Sequence, residues 1–119
     1  MRPVTRTASI STVIAVSAAM VAGCSSSPVS ITGTWSASDG SETKIINGDG
    51  SCSGMYYNGT SVLDIGGPET CTLSSTSTGG YYSLVVRQAP NQITYQVAID
   101  GDTMTLTTGG QEVVTLTRQ

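Results

Sequence analysis

From residue 31 onward, apolar and polar residues alternate with period two, and Gly, Asn, Asp or Pro interrupts them about every eight to twelve residues. The clearest run is Tyr82, Leu84 and Val86, followed beyond Ala89-Pro90-Asn91 by Ile93, Tyr95, Val97 and Ile99. Successive side chains of a strand point to opposite faces, so this run predicts a hairpin with one apolar face at the centre of the core. Met104 and Leu106, then Val114 and Leu116, extend that face. Thr103, Thr105, Thr107, Thr115 and Thr117 take the other, where a β-branched side chain suits an exposed pleat. No stretch has the helical period. The predicted strands are 32–37, 42–47, 51–57, 61–64, 69–75, 81–88, 92–100, 103–108 and 112–117. Asp39-Gly40, Asn47-Gly48, Asp49-Gly50, Asn58-Gly59, Gly79-Gly80, Asp100-Gly101 and Gly109-Gly110 supply the positive φ of tight hairpin turns.

An antiparallel sheet with one apolar face must close on itself or stack on another sheet. The expected class is all-β: a small antiparallel up-and-down barrel of about eight strands, with a small β-sandwich as the alternative. Strands of about six residues make a short barrel, whose interior is expected to be filled by Trp35, Met55, Leu84, Val97 and Leu106 with little room for a large pocket.

The first 30 residues follow a different logic. Arg2 and Arg6 open the chain without an acid, and 7–23 carries no charge while Ile10, Val13, Ile14, Val16, Met20 and Val21 make it apolar. The run is too short for a stable membrane span of about 20 residues and has the layout of a signal peptide. Val21-Ala22-Gly23-Cys24 resembles the lipobox of bacterial lipoproteins. The resemblance implies diacylglycerol on the Cys24 thiol, cleavage before it, acyl chains such as palmitate in the bilayer, and residence on the extracytoplasmic face of the cell membrane. Ser25-Ser26-Ser27-Pro28-Val29-Ser30 reads as a flexible tether. The chain thus divides into a signal peptide (1–23), a lipidated cysteine and tether (24–30) and one β domain (31–119).

Cleavage changes the charge balance. Three cations, Lys44, Arg87 and Arg118, then face eight acids, a net charge of −5. No cationic cluster remains to neutralise phosphates, which argues against nucleic acid and polybasic lipid-headgroup partners. With Cys24 acylated, Cys52 and Cys71 are left, and two cysteines in an exported chain are expected to pair. The bridge would contribute about 3 kcal/mol in the chain-entropy model. Histidine is absent, so a Cys/His nucleophile cannot be built.

Gly33-Thr34-Trp35 at the start of the domain and Leu116-Thr117-Arg118 at its end resemble the calycin (lipocalin-like) pattern. There, a tryptophan near the start of the barrel is covered by a basic side chain from its end. The resemblance implies that Arg118 stacks on Trp35 and closes the barrel floor, and Arg118 shares parity with the inward Val114 and Leu116. The segments 49–59, 63–68 and 71–73 resemble small uncharacterised lipoproteins of mycobacteria and their relatives. That likeness implies an envelope setting and no activity.

Candidate chemistry is sparse. Asp39, Asp49, Asp100 and Asp102 fall in predicted turns, where Asp bonds to its own backbone. Asn47, Asp49 and Ser51 lack the repeated acids of a calcium loop, and no metal or cofactor is expected. Asn58-Gly59-Thr60 matches a glycosylation sequon and is read as a hairpin turn. Tyr56, Tyr57, Tyr81 and Tyr82 come as adjacent pairs, one ring of each inward and one outward, and form the candidate binding patch. Two functions follow for a membrane-anchored envelope protein. One is a binding module for a small apolar or lipid ligand, which requires an internal pocket above about 300 Å³ lined by Tyr and Met. The other is a protein-interaction module, an inhibitor or blocking lipoprotein that acts on an envelope or phage protein and requires an exposed apolar patch instead. No enzyme is expected, since no nucleophile, base and oxyanion set can be assembled. A cleft gathering two or more acids would reopen that question.

Overall fold

A computed structural model describes residues 29–119, so the expected signal peptide and Cys24 lie outside the described residues. The domain is all-β, with ten strands: β1 (Gly33–Ala37), β2 (Lys44–Ile46), β3 (Cys52–Ser53), β4 (Tyr57–Asn58), β5 (Ser61–Val62), β6 (Thr70–Leu73), β7 (Tyr82–Gln88), β8 (Asn91–Asp100), β9 (Thr103–Thr108) and β10 (Gln111–Arg118). Eight form one antiparallel sheet in the order β3-β2-β1-β10-β9-β8-β7-β6, and β4 and β5 pair separately. The sheet curls until its edges meet. Ser51 bridges Thr70, Cys52 N–H donates to Glu69 C=O at 2.9 Å and Cys71 N–H to Gly50 C=O at 2.8 Å. Cys52 and Cys71 are joined by a disulfide across this seam. The result is a nearly closed barrel, and the sandwich alternative does not apply.

The alternation read from the sequence sets the inner face. Leu84, Val86, Tyr95, Val97, Met104, Leu106, Val114 and Leu116 are all buried at 2 % exposure or less. β10 carries a register shift, a bulge, between Glu112 and Val114, and beyond it the regular alternation puts Val114, Leu116 and Arg118 on one face. At the end where β1 begins, the Arg118 guanidinium lies 4.3 Å from the centroid of the Trp35 ring. It also donates to the Thr32 and Ser30 carbonyls and pairs with Asp102 at 3.2 Å. Trp35 is fully buried and its indole N–H donates to Ile31 C=O at 3.0 Å. Gly33 has φ +143°, and a Cβ there would sit 3.1 Å from Arg118 Nη1, so this glycine makes room for the guanidinium.

The main departure from expectation is the segment 51–57, predicted as one strand. The barrel wall ends after Ser53 at Gly54, whose φ of +77° turns the chain inward. Met55 and Tyr57 then enter the open end of the barrel opposite Trp35 and are buried there at 0 % and 1 % exposure. The β4–β5 hairpin and the turn through Gly67 cover them. The Tyr95 hydroxyl accepts from Tyr57 N–H at 2.9 Å and donates to Met55 C=O at 3.0 Å. Gln88, buried on β7, receives Ile65 N–H and donates to Asp64 and to Gly67 C=O. Residues 54–67 are thus a plug, fixed by polar side chains that the barrel aims at its backbone.

Two stability changes follow. Replacing Cys52 and Cys71 by Ala is expected to cost about 3 kcal/mol in urea unfolding and to speed amide exchange at residues 52 and 71. Arg118→Ala is expected to cost about 1–2 kcal/mol and to shift the emission of the single Trp to the red as the indole meets water.

Candidate functional site

Two clefts lie at the two ends of the barrel, and neither is lined by Met55, Leu84, Tyr95, Val97, Met104 or Leu106. The first, about 540 Å³, opens at the plugged end between the β1–β2 loop and the plug, and its walls include Ser41, Glu42, Lys44, Gly54 and Asp64. The second, about 290 Å³, lies at the Trp35 end and is lined by Val29, Ile31, Ile46, Leu73 and the Asn47–Gly50 turn. Of the two, the first has charged side chains in its lining, Glu42, Lys44 and Asp64.

β2 is short, and its parity sends Lys44 and Ile46 inward and Ile45 outward, so Lys44 is 1 % exposed while Ile45 is 43 % exposed. A lysine at an inward position needs a partner for its ammonium. Lys44 donates to Ser41 Oγ at 2.7 Å and lies 5.0 Å from the centroid of the Tyr57 ring. It makes no salt bridge among the described residues. Gly54 packs on its stem: a Cβ there would be 3.1 Å from Lys44 Cδ. Ser41 also donates its hydroxyl to Asp39 Oδ1 at 2.6 Å and its N–H to the same oxygen at 2.9 Å. Tyr57 donates to Asp39 Oδ2 at 2.8 Å, and its hydroxyl is 3.5 Å from Ser41 Oγ. Lys44, Ser41, Asp39 and Tyr57 therefore form one connected network at the base of the cleft.

The electrostatics follow from burial opposed by neighbours. Desolvation pushes the Lys44 ammonium below its ordinary value, and the negative fields of Asp39, Glu69 and Glu42 offset only part of this. Burial acts to raise Asp39, but the hydrogen bonds from Ser41 and Tyr57 outweigh it and hold the carboxyl below its usual value. Tyr57 is pushed up to about 12, chiefly by burial, and stays protonated. Below the cleft, Glu69 is 7 % exposed, accepts Met55 N–H at 2.8 Å and lies 3.5 Å from Cys52 Sγ. Burial raises its pKa against the Met55 hydrogen bond, and the nearby Asp64 adds to the rise.

The residues singled out from the sequence are distributed as follows. Cys24 lies outside the described residues. Trp35 and Arg118 are stacked, and Cys52 and Cys71 are bonded. Glu69 and the two sulfurs lie within 4.8 Å of one another, but sulfurs joined to each other offer no thiolate to a metal. Tyr57 is spent inside the barrel and Tyr56 is half-buried beside it in the plug, whereas Tyr82 begins β7 at the opposite end and Tyr81 (44 % exposed) just precedes it. The structure does not bring the two tyrosine pairs together. Asp49 accepts the N–H and hydroxyl of Ser51, a self-contained turn. Ser41, Lys44, Glu69, Gln88 and Tyr95 were not anticipated. The only signal for the first two was a serine three residues before a lysine on one hairpin. Comparison with known protein families, curated proteins and solved structures finds no match.

Glu69 gives a pH test. Its pKa is raised on folding, so its contribution is fully present below the ordinary value of 4.5 and is lost as pH rises through the higher folded value. Glu69→Gln retains an acceptor for Met55 N–H. It is expected to be more stable than the parent at pH 7.5 and equal to it near pH 4, read by urea unfolding at both.

Proposed function

We propose that this chain is a lipid-anchored envelope protein, acylated on Cys24, that meets a protein partner through the cleft and loops at the plugged end of its barrel. The observation that carries the reading is the filled interior. Trp35, Met55, Tyr57, Tyr95 and Met104 occupy the space in which a lipocalin-like barrel would hold a ligand, each at 1 % exposure or less. An internal apolar ligand has no place there. The remaining recognition surface is the open cleft, with Ser41, Glu42, Ser53 and Asp64 on its walls and the half-exposed Ile45 and Ile65 in the neighbouring chain segments.

The anchor gives this surface a direction. Five residues lead from Cys24 to Val29, a reach of about 17 Å when extended. Val29 lies at the Trp35 end, so a lipidated Cys24 would hold that end against the bilayer and leave the Lys44 cleft facing away. A partner reached this way is a protein on the extracytoplasmic side. The small apolar ligand has one observation in its favour. The cleft of about 290 Å³ beside Val29, Ile31 and Leu73 would face the membrane and has the size of part of an acyl chain.

In the native host, an alkyne fatty acid is expected to label the chain, and Cys24→Ala to abolish the label and release the protein from membranes. A photo-crosslinker at Glu42 is expected to capture one recurrent protein that a crosslinker at Asn47, on the opposite end, does not. Equal capture at both positions would remove the case for a distal partner.

A further inference from the structure

We infer that Ser41 and Lys44 are a nucleophile and its base, and that the cleft above them accepts an acyl group from a small ester or strained amide. This goes beyond partner binding and does not depend on the lipid anchor. The case rests on placement. Ser41 lines an open cleft of about 540 Å³, and its Oγ is 2.7 Å from the amine of Lys44, a residue 1 % exposed that has no carboxylate in salt-bridge contact among the described residues. A primary amine has three N–H bonds when charged, and one acceptor, Ser41 Oγ, is found for Lys44 among the described residues. Ser53 also lines the cleft, but no amine reaches it.

The third element of such a site is a group that orients the nucleophile. Asp39 does this through one oxygen, which takes both the N–H and the hydroxyl of Ser41, while Tyr57 fixes its other oxygen. Asp39 and Tyr57 are positioning residues. The absence of histidine, which removed a Cys/His site from consideration, does not touch a Ser/Lys pair. The cleft also gathers two acids, Glu42 and Asp64.

The step balances without a cofactor. When Lys44 is neutral, the Ser41 hydroxyl turns its hydrogen from Asp39 to Lys44 Nζ. Oγ then attacks the carbonyl carbon; the Oγ–C bond forms and the proton passes to Nζ. Collapse of the tetrahedral adduct breaks the bond to the leaving group, which takes that proton as an alcohol or amine. Water, deprotonated by the same amine, then attacks the acyl-serine and releases a carboxylic acid and free Ser41. Net, an ester and water give an acid and an alcohol.

The groups around Lys44 set both pH dependence and preference. Asp39, Glu42 and Glu69 place negative charge around it, Asp64 lines the same cleft, and Tyr57 presents its ring. Burial of the ammonium favours the neutral amine. Turnover should therefore rise with pH to a midpoint below the ordinary lysine value of 10.5. The acidic walls favour an uncharged or amine-bearing ester and oppose a carboxylate-bearing one.

The test is labelling of the full-length protein with a fluorophosphonate, followed by intact mass and peptide mapping across pH 6 to about 10. One adduct on Ser41 is expected, absent in Ser41→Ala, with a rate that rises with pH and falls at least about 50-fold in Lys44→Met. Asp39→Asn removes a charge beside the amine and is expected to move the pH midpoint down, which a purely structural change would not do. Trp35 emission checks that each variant is folded. If Lys44→Met fails this check, the adduct map and the pH profile of the parent protein decide. An adduct that is absent, maps elsewhere, or forms equally fast at every pH or in folded Lys44→Met overturns the proposal.

Discussion

Everything in this domain depends on the meeting of its two weakest edges. β3 has two residues and β6 has four, so neither offers enough ladder hydrogen bonds to hold a sheet edge. Yet the apolar face of the other six strands is hidden only if those edges touch. The Cys52–Cys71 bond supplies what the backbone cannot, and Gly50 to Cys71 and Glu69 to Cys52 add one hydrogen bond each. The plug leaves the wall two residues after Cys52 and returns just before Cys71. The same covalent link that shuts the seam therefore also bounds the plug, and with it one wall of the Lys44 cleft.

Inside that frame the polar groups act as one body. Tyr95 ties the Met55 and Tyr57 backbone to the barrel, Tyr57 ties Asp39 to the plug, Asp39 ties Ser41, and Ser41 accepts one hydrogen bond from Lys44. These bonds link the barrel wall, the plug and the β1–β2 loop, so removing the buried Tyr95 or Tyr57 hydroxyl leaves a partner unsatisfied at a cost of about 1–3 kcal/mol. Such coupling offsets the cost of enclosing a lysine in a chain this small. It also fixes the position of Ser41 from two sides, Asp39 and Lys44, which is what a reactive hydroxyl in a hairpin loop requires.

How much could be read in advance varies along the chain for physical reasons. β7 to β10 were legible because a long strand repeats its inside/outside rule enough times to be unmistakable, and Ala89-Pro90, Asp100-Gly101 and Gly109-Gly110 separate them. The seam was legible through the count of cysteines, and the Trp35–Arg118 stack through the resemblance of 33–35 and 116–118 to the calycin pattern, with the parity of Arg118 in support. The segment 54–67 was not. Met55 and Tyr57 continue the parity of Cys52, so the pattern stays that of a strand while the backbone at Gly54 departs from the wall. Lys44 is ambiguous for another reason: Ile45 and Ile46 stand side by side, so alternation alone does not choose a face, and the register Trp35 to Lys44 turns the lysine inward. The Ser41–Lys44 contact depends on how the six-residue loop 38–43 folds back, which alternation does not encode.

The guanidinium of Arg118 has one more consequence. It grips the carbonyls of Ser30 and Thr32, the last residues of the leader before β1, and β1 is flanked on both sides by β10 and β2. Tension arriving from the N-terminal side would pull along the axis of β1. Strands loaded this way slide against both neighbours at once, so their hydrogen bonds share the load instead of parting one by one. The first and last strands of the chain would bear the force together, with the C-terminal side chain as the clasp, and the plug and cleft at the far end would be spared it. If the chain is tethered through its N-terminal side, the load would thus fall on the Arg118 clasp and not on the cleft.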